Sequence, residues 1–310
     1  MGESSSQSST AEPARADSSR GRAALRRRSR DCEVWGILNV TPDSFSDGGR
    51  HDDTLRAIAH AERMLAEGAD VIDVGGESSR PAGKTYGQGA ARVPVEEELR
   101  RVLPVVEALA RRGVCVSVDT VKAEVARAAL AAGARIVNDV SCSASEALLD
   151  AVAEAGAELV VMHNREDGRV DERTTRYGDV VAEVLAELEA AVERAVARGV
   201  ARERIWLDPG LGFAKTAAQS VILLGNLDAL VAREYPVLVG ASRKAFIART
   251  VTEPGASEPP PTERLGGSLA CVTASALAGA AAVRVHDVRE SVQAARVGSA
   301  MRGAARRSIG

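Results

Sequence analysis

The sequence predicts an α/β protein, a (β/α)8 TIM barrel with a disordered N-terminal tail. From residue 33 onward, eight short β-branched runs alternate with Ala-rich amphipathic stretches. The runs are continuously apolar, as in strands of a parallel sheet buried on both faces. Eight strand–helix repeats over roughly 280 residues match a barrel, for which roughly 250 is typical. A doubly wound open sheet is the alternative for such a pattern, but no G-x-G-x-x-G follows any of the runs to support it.

In chain order the strand runs are VWGILNV (34–40), DVIDVGG (70–76), VCVSVDT (114–120), RIVNDVS (135–141), ELVVMHN (158–164), RIWLDPG (204–210), PVLVGAS (236–242) and AVRVHDV (282–288). The first is followed by LRAIAHAERMLAEG (55–68), the second by VEEELRRVLPVVEALARRG (95–113), the third by KAEVARAALAAG (122–133) and the fifth by VVAEVLAELEAAVERAVARG (180–199). Each of these helical patterns closes on a glycine, where a left-handed residue just past the last turn belongs. The Pro-rich EPGASEPPP (253–261) reads as a variable surface loop before the seventh helix.

Composition narrows the class. Hydrophobic residues make up 45% of the 310, but aromatics only 3%, so Ala, Val, Leu and Ile must build the core. A net charge of −3 is too small to imply a nucleic-acid or membrane partner. The four cysteines (Cys32, Cys115, Cys142, Cys271) form no C-x-x-C pair and have no histidine nearby, which argues against zinc and a disulfide framework and fits a reducing cytoplasm. No apolar run approaches the ~18 residues of a membrane span, and no signal peptide is visible. Residues 1–32 stand apart as a Ser- and Arg-rich tail, 33–302 form the barrel domain, and 303–310 a C-terminal tail. The myristoylation-like MGESSS is too short a pattern to carry an assignment.

The polar residues of the strand runs gather at one end. Asn39, Asp73, Asp119, Asn138, Asp139, His163, Asp208, Ser242, Arg284 and His286 all fall at or just past strand C-termini. In a barrel those ends surround one mouth, where active sites are built. Any one of these aspartates alone would be read as a helix cap or turn former; together, and inside the strand runs, they describe a site. Ionised aspartates with amides suit an amidine-like heterocycle edge, which can offer two parallel N–H donors. Arg80, Lys244, Arg284 and His286 suit a phosphate or diphosphate. No Ser or Cys has an evident general base beside it, so covalent catalysis is not favoured. The stretch DPGLGFAKT (208–216) resembles a P-loop only superficially: with Lys215 and Thr216 aligned, Pro209 and Ala214 occupy both required glycine positions.

GILNVTPDSFSDGG (36–49), DVGGESSRP (73–81), SVDT (117–120), NDVS (138–141), DPGLGFAKT, GASRK (240–244), ERLGGSLA (263–270) and RVHDV (284–288) resemble, in order, the motifs of the dihydropteroate synthase family. That resemblance implies a folate-pathway TIM barrel joining p-aminobenzoate to 7,8-dihydropterin-6-ylmethyl diphosphate with release of diphosphate. It implies that Asp73, Asp119, Asn138, Asp208 and Lys244 hold the pterin. Asn39, Ser79, Arg284 and His286 would take the diphosphate, with Asn39 contacting a bound Mg2+. Thr41, Pro42, Phe45, Arg80, Pro81 and Ser242 would contact p-aminobenzoate, the first five on two closing loops. A homodimer through the last helices is implied as well.

Three positions depart from the family pattern: Ser79 where Thr is common, Asn164 where an apolar or aromatic residue is frequent, and a long link at 82–94 after SSRP. The link either tunes closure of the Arg80 loop or is a passive insertion. Two other functions fit parts of the pattern. A methyltetrahydrofolate-dependent methyltransferase would share the pterin contacts but has no use for TPDSF, SSRP or SRK. A non-catalytic pterin-binding paralogue predicts erosion of the diphosphate and p-aminobenzoate residues, and none is eroded.

Overall fold

The computed structural model describes residues 32–41, 50–77, 93–166 and 169–307. The strands are β1 (Glu33–Asn39), β2 (Val71–Gly75), β3 (Val116–Asp119), β4 (Ile136–Asp139), β5 (Glu158–Met162), β6 (Ile205–Asp208), β7 (Leu238–Val239) and β8 (Ala282–Val285). Between and after them run α1 (Arg50–Glu67), α2 (Val95–Arg111), α3 (Ala123–Ala131), α4 (Glu146–Ala155), α5 (Val180–Ala197), α6 (Ala217–Gly225), α7 (Leu227–Val231), α8 (Ala245–Val251), α9 (Leu265–Ala278) and α10 (Val288–Arg307). The last helix continues past residue 302, where the sequence reading ends the barrel domain. The tail before residue 32 lies outside the described residues.

All paired strands are parallel, in the order β6-β5-β4-β3-β2-β1-β8-β7. The two ends meet through a parallel bridge between Leu207 and Val237 and a Leu207 N–H to Pro236 O hydrogen bond of 2.9 Å. The sheet is therefore a barrel and not the open alternative. β7 is short because it pairs regularly with β8 alone.

Two apolar layers follow from the two faces of each strand. Outward-facing Leu38, Ile72, Leu159 and Leu207 pack with helix residues such as Leu109, Leu148 and Leu188, all at most 2% exposed. Each such burial contributes roughly 1.5–3 kcal/mol. The inward-facing residues form a second cluster: Trp35, Val71, Ile136, Val160, Leu238 and Ala282, with Trp206 and Cys115 packed against it. Trp35 and Trp206 lie with ring centroids 5.1 Å apart and tilted by 60°. In a protein with three Phe, three Tyr and two Trp, both indoles serve to fill the lower barrel.

Strand pleating then places the site. Because side chains alternate faces, the residue two positions beyond each inward residue also points inward, one layer nearer the mouth. Two positions after Val71, Ile136, Trp206, Leu238 and Ala282 come Asp73, Asn138, Asp208, Gly240 and Arg284. The apolar plug supports a polar floor.

Candidate active site

Arg284 anchors that floor. Its Nε donates to Asp73 Oδ2 at 2.5 Å and its Nη2 to Asp119 Oδ2 at 2.7 Å. Asn138 Nδ2 donates to the same Asp73 oxygen at 3.2 Å. Burial works against the Arg284 charge, but the two carboxylates outweigh it and raise its pKa. For Asp119, burial dominates over the pull of Arg284, and its carboxyl is pushed up to about 7. Asp73 Oδ1 and Ser117 Oγ beneath are buried without partners among the described residues. Asp73, Asp119, Asn138 and Arg284, all predicted from sequence, thus form one bonded cluster.

Asp208 stands across the mouth. Its Oδ1 accepts the Gly210 N–H at 2.7 Å, and burial raises its pKa, opposed first by Lys244. Gly210 is obligatory: its φ is +64°, and a Cβ there would lie 1.9 Å from the His163 carbonyl oxygen. Lys244 Nζ donates to Leu211 O at 2.7 Å and sits 4.7 Å from the Phe213 ring centroid. Burial lowers the Lys244 ammonium to about 8, with Asp208 opposing. A Cβ on Gly240 would lie 3.7 Å from Asp208 Oδ2, 3.8 Å from Lys244 Nζ and 4.0 Å from Arg284 Cβ. The absence of a side chain at Gly240 thus keeps the spot where the Asp208 carboxylate, the Lys244 ammonium and the Arg284 stem converge clear. Donor and acceptor groups that converge on one spot suit a flat heterocycle with donor and acceptor edges.

The turn carrying Lys244 is braced by three residues of two later motifs. Arg243 has φ +59°, unusual for a residue with a side chain. Its N–H donates to Ser268 Oγ at 2.9 Å, its carbonyl accepts from Arg264 Nη1 at 2.9 Å, and its guanidinium grips Asp287 in two bonds at 3.0 and 2.5 Å. ERLGGSLA and the Asp of RVHDV therefore hold the SRK turn, a role that spacing alone does not disclose.

His286 and Ser242 are neighbours, with Oγ to Nδ1 at 3.0 Å, and the His286 backbone N–H donates to the same Oγ at 3.2 Å. Burial and then Arg284 lower the His286 ring to about 4, so it is neutral at pH 7. A hydroxyl oxygen that accepts the backbone N–H completes its bonding by donating to Nδ1, which assigns the ring proton to Nε2.

Two residues grouped with the mouth serve other ends. Asp139 lies on the opposite face of β4 and accepts from Ser141 N (2.8 Å), Ser141 Oγ (2.5 Å) and Ser143 N (2.8 Å), shaping its own loop. His163 bonds Lys215 and Glu187. Lys215, which the sequence places on a loop beyond its strand, is 2% exposed, and its ammonium is fully engaged. Asn164 donates to Val140 O at 2.7 Å, and its Oδ1 is buried with no partner among the described residues.

Asn39 ends β1, and its Oδ1 would be 3.8 Å from a Cβ on Gly75. Among the described residues no group of three or more His, Cys, Asp or Glu could hold a metal. A single hard amide oxygen fits Mg2+ only as one ligand, the others being water and a substrate's phosphate oxygens. Thr41 is the last described residue before 42–49. Pro42, Phe45, Ser79, Arg80, Pro81 and the link at 82–92 lie outside the described residues.

A parallel barrel with a polar, cation-bearing mouth over an aromatic plug defines a ligand-binding enzyme scaffold. The family model described as "Pterin binding enzyme" matches residues 35–286. The dihydropteroate synthase of Mycobacterium leprae (strain TN) is 48% identical over 267 residues, covering 86% of this chain and 92% of that protein. Among solved structures, the Yersinia pestis dihydropteroate synthase in a sulfonamide drug complex matches with TM-score 0.79 and 42% identity, covering 88% of this chain and 95% of that one. The Xanthomonas albilineans dihydropteroate synthase in complex with 7,8-dihydropteroate matches with TM-score 0.75 and 42% identity, covering 87% and 93%. The chain belongs to the dihydropteroate synthase family of pterin-binding enzymes.

Proposed function

We propose that this mouth condenses p-aminobenzoate with 7,8-dihydropterin-6-ylmethyl diphosphate to give 7,8-dihydropteroate and diphosphate. The observation that carries the reading is the convergence of Asp208, Lys244 and Arg284 on Gly240. The pterin's amino and N–H edge pairs with Asp208, an ionised acceptor for two donors. Asn138, Asp119 and Asp73 complete the polar wall, and Lys244 donates to the ring's acceptor edge.

Arg284 and His286 receive the diphosphate, a task the family resemblance also gives to Ser79. The neutral His286 donates from Nε2, and the adjacent guanidinium supplies charge where the leaving group gathers it. Asn39 supplies one oxygen to Mg2+, which when bound neutralises charge on the diphosphate. The aryl amine is neutral and nucleophilic at pH 7, so no strong base is required. Its nitrogen bonds to the pterin methylene carbon, the C–O bond to diphosphate breaks with the electron pair leaving on diphosphate, and the amine releases one proton. The step is dissociative, and the family resemblance gives Thr41, Pro42, Phe45, Arg80 and Pro81 the task of excluding water and seating p-aminobenzoate; Ser242, expected at its carboxylate, spends its one proton on His286 Nδ1.

A homodimer is part of the proposal. Leu277 of α9 and Val297 and Met301 of α10 are 41%, 56% and 49% exposed, and exposed apolar residues on adjoining helices suit a self-complementary contact. Sedimentation of a 32.4 kDa species would reject it. A cytoplasmic setting belongs to the same reading; no described helix is long and apolar enough to cross a membrane.

Incubating the protein with the pterin diphosphate, Mg2+ and radiolabelled p-aminobenzoate tests the proposal. Labelled dihydropteroate is expected. Its absence from folded protein means the enzyme reading is wrong.

A further inference from the structure

The pterin-facing loop between β6 and α6 is built around a buried lysine to which no step above gives a part. Lys215 Nζ has three acceptors: His163 Nδ1 at 2.7 Å, Phe213 O at 3.0 Å and Gly210 O at 3.1 Å. Three acceptors match the three protons of an ammonium. Since Lys215 donates to Nδ1, the His163 proton belongs on Nε2, which meets Glu187 Oε2 at 3.0 Å. Glu187 is held in turn by Arg165, whose Nε lies 3.1 and 3.0 Å from its two oxygens. Arg165 lies over the Tyr177 ring, 3.9 Å from its centroid, and Tyr177 OH donates back to Ala214 O at 3.1 Å. The chain of contacts leaves the loop at Lys215 and returns to it at Ala214.

The loop's purpose in the site is Gly210, whose N–H fixes Asp208 Oδ1 at 2.7 Å while its carbonyl accepts from Lys215. We propose that Lys215, set by His163 and Glu187, is a positioning residue for Asp208: it anchors Gly210 by its carbonyl, so that the same residue's N–H stays on Asp208 Oδ1, and it supplies the buried positive charge that keeps the Asp208 carboxylate ionised for the pterin. This rests on the reading of Asp208 as the pterin acceptor. The electrostatics agree. Lys215 is among the groups that oppose the burial-driven rise of the Asp208 pKa, and Asp208 leads those that oppose the fall of Lys215, to about 7, on burial. Lys244 and Arg284 also face Asp208, while Glu187, Lys244 and the Cys142 thiol act on Lys215. With two other cations near, removing Lys215 weakens the carboxylate without abolishing it.

The test is a double-mutant cycle on binding of the pterin diphosphate alone, with Lys215→Met, Asp208→Asn and both, each checked for folding by thermal unfolding. Lys215→Met is expected to weaken binding about tenfold, the order of one charge-assisted bond. It should also move the acid limb of the binding–pH profile upward and raise KM for the pterin diphosphate more than it lowers kcat. In the Asp208→Asn background it should cost nothing further. If Asp208→Asn loses pterin affinity but Lys215→Met binds like the native protein, or the two losses add, the inference falls alone. If Asp208→Asn binds normally, the reading of Asp208 falls with it. Should Lys215→Met not fold, Glu187→Gln at the 37%-exposed far end takes its place. A loss of about threefold is then expected from the loosened His163 tautomer, and native affinity overturns the inference.

Discussion

Replacing Arg284 by methionine removes the cation from between Asp73 and Asp119 and leaves two buried carboxylates facing each other. The native pair of bonds, at 2.5 and 2.7 Å, is short and charge-assisted. Breaking a buried pair by deleting one partner costs about 3–5 kcal/mol, because the remaining charge stays uncompensated. The cost has a pH signature. Asp119 already titrates at about 7 in the folded protein, raised by burial against the pull of Arg284, compared with roughly 3.9 unfolded. An acid raised on folding favours the folded state at low pH and loses that contribution as pH climbs to the folded pKa. Without Arg284 the Asp119 pKa rises further, so the loss continues to higher pH. Between pH 8 and pH 6 the variant therefore regains more stability than the native protein, by roughly 1–2 kcal/mol, about one pH unit's worth for one group. Urea unfolding at the two pH values, followed by the fluorescence of Trp35 and Trp206 within the barrel, measures this. A deficit that is identical at both pH values, or no deficit at all, refutes the reasoning about the cluster.

Three other perturbations have defined outcomes. Gly210→Ala combines φ +64° with a Cβ 1.9 Å from the His163 carbonyl; it should destabilise by at least ~1–3 kcal/mol and weaken pterin binding, as read by thermal unfolding and calorimetry. Lys244 titrates at about 8 when folded, lowered from 10.5 by burial. The unfolded chain thus binds more protons between those values, so its contribution to stability should increase with pH across that window while pterin affinity declines, both trends flattening in Lys244→Met. Gly240→Val should set a branched side chain among Asp208, Lys244 and Arg284, which a Cβ alone would already touch at 3.7–4.0 Å; it should abolish pterin binding, read by calorimetry, and cost about 1–3 kcal/mol in urea unfolding through overpacking.

Much of this was legible in the sequence because strands buried on both faces leave few ways to place a polar residue. Asp73, Asp119, Asn138, Asp208 and Arg284 interrupt apolar runs, and a buried charge there must be paired or used. Pleat parity separates members of the list: Asn138 shares its face with Ile136 and the inner plug, whereas adjacent Asp139 points the other way and shapes a turn. What stayed hidden depends on contacts distant in sequence. Lys215 meets His163 52 positions away, and Arg243 meets Asp287 44 positions away; neither pair has a periodicity to reveal it. β7 is shorter than PVLVGAS suggests, since a strand's extent is set by its neighbours' hydrogen bonds as well as its own residues. Helix α10 runs on to Arg307, past residue 302, because nothing in GAARR stops a helix.

On the proposed function, Asp208 holds the pterin. Isothermal titration of the native protein and of Asp208→Asn with the pterin diphosphate tests it most directly, because the substitution keeps the shape of the side chain and removes its charge. A loss of about 2–4 kcal/mol of binding free energy is expected from the broken charge-assisted pair, with the fold retained. Equal affinities for the two proteins would contradict it.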